Sequence, residues 1–65
     1  MSASILERAT EAGRVAHANG FPAAPILDPV AVELVSRFRK VDDRNDVRVA
    51  WLAGWHAANL HEVAS

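Results

Sequence analysis

The stretch that decides how this chain folds is Trp51-Leu52-Ala53-Gly54-Trp55, followed by His56-Ala57-Ala58. Residues four apart lie on the same side of a helix, so the two indoles would form a single aromatic ridge. A glycine inside a helix costs about 1 kcal/mol relative to alanine, and helices usually carry it where another backbone comes close. The stretch therefore predicts a helix that packs tightly against a partner element.

The first predicted helix precedes this stretch and covers about residues 4–19. Ser4 and Glu7 have the spacing of a capping box, which marks a helix start. Asn19-Gly20 supplies the left-handed stop that commonly ends a helix. The residues along its apolar side are mostly alanine, so its partner has to approach closely.

A proline-containing linker over residues 20–28 leads to the second predicted helix, over about residues 29–41. Asp28 is suited to be the N-cap residue, and Pro29 would occupy the first helical position, where a missing amide costs nothing. Apolar residues then recur at spacings of three and four. This pattern predicts a stripe that faces the core.

The third predicted helix covers about residues 44–63 and follows a polar break at residues 42–46. Its apolar residues occupy more than one side, which is typical of a helix that is covered on more than one side. We therefore expect a single all-α domain of three helices over residues 1–65, in which the first and third pack closely and the middle one covers them. The predicted helix-packing residues are Trp51, Gly54, Ala58, Gly13 and Ala16.

Composition limits the classes of function. The chain has 65 residues and no cysteine, so disulfides and thiolate ligands cannot reinforce its small core, and we expect it to form a dimer or to bind a partner. A net charge of −1 argues against a protein that mainly coats nucleic acid. No stretch approaches the ~20 apolar residues of a membrane span and no leader pattern is visible, so we expect a cytoplasmic protein without a membrane partner.

Residues that could carry out a reaction are few. His56 and His61 are five residues apart, so on a helix they point about 140° away from each other, which does not suit a shared metal ion. The sequence has neither a nucleophile elbow nor a glycine-rich phosphate loop. We therefore predict no catalytic residue, no metal, no cofactor and a protein that is not an enzyme.

A basic cluster lies where the second predicted helix gives way to the third. Such charges are favoured at the end of a helix by its dipole, and they are also what a nucleic-acid contact needs, so both interpretations stay open. A small DNA-binding regulator that uses the third helix is an alternative function, although that helix begins with acidic residues. Leu52 and Trp55 fall among polar positions of the third helix, so we predict that they contact a partner together with the basic cluster. The predicted partner-binding residues are Trp55, Leu52, Arg48, Arg44, Arg37, Arg39 and Lys40.

Two segments carry a resemblance to a known family. Residues 13–20 have the pattern G-x-x-A-x-x-x-G, and residues 48–58 have the pattern R-x-x-W-x-x-G-W-x-x-A. Together they resemble the ribosome modulation factor family and its relatives named for a ciprofloxacin-modifying protein. The matching segments and their surroundings make up about half of the chain, and the tryptophan pattern is the more specific part.

The resemblance implies a small helical protein that binds the ribosome during slow growth and promotes hibernation. It implies that Trp51, Gly54 and Trp55 hold the two motif helices together and that neighbouring arginines touch ribosomal RNA. The chain lacks the family's Cys-Pro-Tyr element and is slightly acidic, whereas the family's prototype is strongly basic. The expected function is a non-enzymatic module that docks on the ribosome or on another macromolecular partner.

Overall fold

The computed structural model describes residues 3–64, with the side chains of residues 3–62. Its elements are α1 (Ala3–Ala18), a 3₁₀ turn (Pro25–Leu27), α2 (Pro29–Ser36) and α3 (Val41–Ala64). The contact between α1 and α3 is the most extensive, and α2 packs on both of these helices. The predicted all-α fold, with its closely packed first and third helices, is confirmed.

Two glycines allow α1 and α3 to approach to backbone contact. A Cβ atom on Gly13 would lie 1.9 Å from the carbonyl oxygen of Trp51, and a Cβ atom on Gly54 would lie 1.9 Å from the carbonyl oxygen of Thr10. Real Cβ atoms essentially never come within 3.0 Å of such an atom. The two helices therefore cross at a point where neither can carry a side chain.

The core lies along this crossing and under α2. Trp51 and Val47 on α3 and Leu34 on α2 are its largest fully buried side chains. Smaller residues fill the space between them, which keeps the three helices close. The buried apolar residues of the described chain are Ala9, Ala16, Ala31, Leu34, Val47 and Trp51.

The end of α1 is a Schellman motif, as the Asn19-Gly20 pair predicts. Gly20 has a φ of +83°, in the left-handed region. Its N–H donates to the carbonyl of His17 at 3.0 Å, and the N–H of Phe21 donates to the carbonyl of Ala16 at 2.9 Å. This turn sends the chain back across the α1–α3 pair toward α2.

The boundary between α2 and α3 differs from the prediction. α2 ends at Ser36 and not near residue 41, and α3 begins at Val41 and not at residue 44. The Ser36 hydroxyl donates to the carbonyl of Glu33 at 2.7 Å, which is the carbonyl that the amide of Arg37 would use in a continuing helix. That amide bonds instead to Leu34, so the helix tightens and stops.

The predicted polar break at residues 42–46 is therefore the first part of α3. Asp42 and Asp43 lie in its first turn, where negative charge is favoured by the helix dipole. Val41, the apolar residue at the end of the second predicted helix, is 76% exposed. Residues able to cap a helix also suit its first turn, and the pattern alone does not distinguish the two placements.

Candidate docking surface

Asp28 is the only buried charged or polar side chain among the described residues, so it is the first candidate for chemistry. Its Oδ1 accepts the N–H of Val30 at 3.0 Å, which makes it the predicted N-cap of α2. Its Oδ2 accepts the indole N–H of Trp51 at 2.7 Å. Both oxygens accept hydrogen bonds within the fold, so Asp28 joins the start of α2 to the core.

Trp55 is half-buried and its polar atom is also used inside the molecule. Its indole N–H donates to the carbonyl of Phe21 at 2.8 Å. The rings of His17 and His56 meet it edge-on, with centroids 4.9 and 5.2 Å away. Trp55 was predicted to contact a partner, and the structure leaves only part of its ring available for that.

The other predicted helix-packing and ridge residues lie close to the α1–α3 crossing. Gly13, Gly54 and Ala16 are buried, while Ala58 is half-buried. Leu52, predicted to bind a partner, is half-buried and packs against the core. Of the helix-packing set, Gly13, Gly54 and Trp51 therefore lie at the crossing, and Ala16 belongs to the core.

A cleft lined by polar side chains opens beside Trp55, and no sequence motif pointed to it. His17 Nε2 lies 3.3 Å from Asn59 Oδ1 and 3.3 Å from Glu62 Oε2. These residues are on α1 and α3, 42 or more positions apart in the chain, so only the packing of the two helices shows that they meet. Within residues 3–62, no group of three or more potential ligands is arranged to hold a metal ion.

The predicted basic cluster divides into bound and unbound side chains. Arg37 pairs with Glu33 at 2.8 Å, and Arg44 Nε donates to the carbonyl of Phe38 at 2.6 Å. Arg39, Lys40 and Arg48 are exposed and have no hydrogen bond or ion pair within the described side chains. The carbonyl that Arg44 binds belongs to the α2–α3 turn, so this arginine holds the turn against α3.

Because α3 begins at Val41, its charges are sorted onto different faces. At about 100° per residue, Arg44 and Arg48 lie about 40° apart, whereas Asp42 and Asp46 each lie about 160° from Arg44. A turn at residues 42–46 would have mixed these charges. The helix instead presents Arg44 and Arg48 on one face, with Asp42 and Asp46 on the opposite one.

The arginine face borders an open groove of about 280 Å³ between α2 and α3. We call it the α2–α3 groove. One side is apolar and comes from the 3₁₀ turn and α2, and the other side is formed by the two arginines. Its lining residues include Ile26, Ala31, Val32, Val35, Arg44 and Arg48.

A larger groove, of about 590 Å³, lies between α1 and α2. Its apolar lining includes Val15 and Val30, but its rim carries Glu7 and Glu11 together with Arg8. Glu11 is also engaged by a neighbour, since Arg14 donates a hydrogen bond to it; this lowers the pKa of Glu11 and raises that of Arg14. The mixed rim gives this second groove no clear charge preference.

Comparison with known proteins finds no family model, no curated protein and no solved structure that matches the chain. Among the helices of residues 3–64, none combines the length and the apolar character needed to cross a membrane.

Proposed function

We propose that this chain is a non-enzymatic binding module that docks on the ribosome in the cytoplasm and lowers translation during slow growth. The observation that carries the proposal is the placement of its unpaired basic side chains. Arg39 and Lys40 are neighbours in the α2–α3 turn and are both exposed. Cations grouped in this way on a rigid support suit contacts with the phosphates of ribosomal RNA.

The resemblance to the ribosome modulation factor family is the second support. The residues on which the resemblance rests have structural roles in the fold. Gly13 and Gly54 form the helix crossing, and Trp51 fills the core. A rigid scaffold of this kind can present surface side chains to a partner. Self-association as a dimer belongs to the same proposal, because a domain this small gains stability from a second copy.

Co-sedimentation with 70S ribosomes tests the proposal. We expect the chain to pellet with ribosomes at low salt and to be released as salt rises. The double variant R39E/K40E should bind more weakly, with the slope of log affinity against log salt shallower by about two. R8E/R14E carries the same change in charge on α1 and serves as the matched control, which should keep wild-type binding.

Failure of the wild-type chain to pellet at any salt concentration would refute ribosome docking.

Duplex DNA provides the comparison for the alternative function. Salt-dependent binding to duplex DNA, lost in R44E/R48E, would favour a small DNA-binding regulator. Asp42 and Asp43 in the first turn of α3 disfavour that alternative, because they would face the phosphates at the end from which a recognition helix reads bases.

A further inference from the structure

We propose that the α2–α3 groove is a docking site for an acidic amphipathic helix of a partner protein. The groove combines an apolar side with an arginine side, and a helix that carries apolar residues along one stripe and carboxylates along its edge would complement both. The inference goes beyond ribosome docking, because it holds whether or not the partner belongs to the ribosome.

The apolar side of the groove is unusually exposed. Of its lining residues, Ile26 is 80% exposed and Val32 is 47% exposed. They are two of the eight exposed large apolar side chains within residues 3–62. Exposed apolar side chains that line one groove are typical of an interaction site.

The arginine side identifies the charge of the partner. Arg44 is held in place by its bond to the Phe38 carbonyl, and its terminal nitrogens make no bond within the described side chains. Arg48, one turn along, is unbound and lines the same groove. Guanidinium groups favour carboxylates in paired geometry, and Asp42 and Asp46 are on the far side of α3.

The groove also distinguishes a protein partner from a nucleic acid. Phosphates would satisfy Arg44 and Arg48 but would leave Ile26 and Val32 in water, whereas apolar side chains of a helix would cover them. The volume of about 280 Å³ is at the low end for small-molecule pockets and suits a few anchoring side chains. The α1–α2 groove is larger, but its rim of mixed charge does not select a partner.

A charge-swap titration tests the inference on the full chain. The ¹⁵N-labelled protein is titrated with a synthetic helical peptide that has leucines at positions i, i+4 and i+7 and glutamates along one edge. A second peptide carries lysines in place of the glutamates. We expect saturable shifts at Val32, Val35 and Arg48, with the glutamate peptide binding about tenfold more tightly.

Substitutions in the groove test whether the preference for the glutamate peptide arises there. R48E should abolish the difference between the two peptides, because it leaves one negative charge beside the positive charge of Arg44, and V32D should weaken both. Because both positions are exposed, these variants should keep the helical circular dichroism spectrum of the wild type. R14E, on α1 and outside the groove, is the control and should keep the wild-type preference.

Three results would overturn the inference. The first is equal affinity for the two peptides or no saturable shift at millimolar peptide. The second is that a single-stranded RNA oligonucleotide causes the same shifts while the protein does not prefer the glutamate peptide to the lysine peptide. This result would assign the groove to nucleic acid. The third is dilution-dependent shifts at these residues without peptide, which would mean that a second copy covers the groove. Loss of ribosome binding in R39E/K40E with the peptide preference intact would separate this inference from the proposed function.

Discussion

Gly54→Ala tests the close crossing of α1 and α3 because its two effects have opposite signs. Alanine is the better helix former, so the substitution would stabilise an isolated α3 by about 1 kcal/mol. In the folded domain its Cβ would lie 1.9 Å from the carbonyl oxygen of Thr10. The sign of the measured change therefore shows which effect dominates.

The expected loss follows from the distance. Ordinary contact for a Cβ begins at 3.4 Å, so the two helices would have to separate by more than 1 Å at the crossing. Overpacking costs about 1–3 kcal/mol or more, and a gap of 0.5–1 Å already forfeits a quarter to a half of the dispersion attraction along the interface. A clash with backbone is not relieved by a rotamer change, so the cost lies at the upper end, about 3 kcal/mol; after subtracting about 1 kcal/mol of helix preference, we expect a net loss of about 2 kcal/mol, against a total of about 3–10 kcal/mol for a domain of this size.

Urea denaturation followed by circular dichroism measures the loss as a change in the free energy of unfolding. Ala53→Gly is the matched control, because Ala53 is exposed on the same helix and should lose only about 1 kcal/mol. Gly13→Ala should behave like Gly54→Ala, and the double variant should lose less than the sum, since one separation relieves both clashes. A Gly54→Ala protein as stable as the wild type would refute the backbone contact.

Three further substitutions test other parts of the fold. Asp28→Ala removes the N-cap of α2 and leaves the buried Trp51 N–H unpaired, so urea denaturation should show a loss of about 2–4 kcal/mol; a loss below about 1 kcal/mol would contradict the bond to Trp51. Gly20→Ala should cost about 1–2 kcal/mol, because φ is +83° while the space around the missing Cβ is open. Arg14→Gln should raise the pKa of Glu11, measured by NMR titration, because Arg14 lowers it in the folded chain. That pair adds stability above the unfolded pKa of Glu11 and loses it as pH falls through the folded pKa, so the variant should be less sensitive to acid; an unchanged pKa would contradict the pairing.

Local signals in the sequence were sufficient for much of the fold. Asp28-Pro29 specifies a helix start because the cap and the first turn are made by neighbouring residues. Gly20 specifies a helix end for the same reason. Gly54 indicated a close approach because a helix has little other reason to carry the cost of glycine.

The features that were missed depend on residues far apart or on a choice between two allowed local structures. The bond from Trp51 to Asp28 spans 23 positions, and no pattern links the two residues. Asp42 and Asp43 suit a turn and a first helical turn equally well, so the start of α3 was placed too late. The separated arginine face and the α2–α3 groove follow only from the correct start of α3 and its packing on α2.

The carboxylate of Asp28 also bears on the order in which the chain folds. α2 has eight residues, and a helix of that length does not persist alone in water. Its cap is bonded to Trp51, so its first turn is held only once α3 is in place. The middle helix therefore depends on the α1–α3 pair for its stability, and its amides should exchange with solvent through local opening, at a lower free energy than the amides at the α1–α3 crossing. A ligand that holds α2 would suppress this opening and protect those amides from exchange.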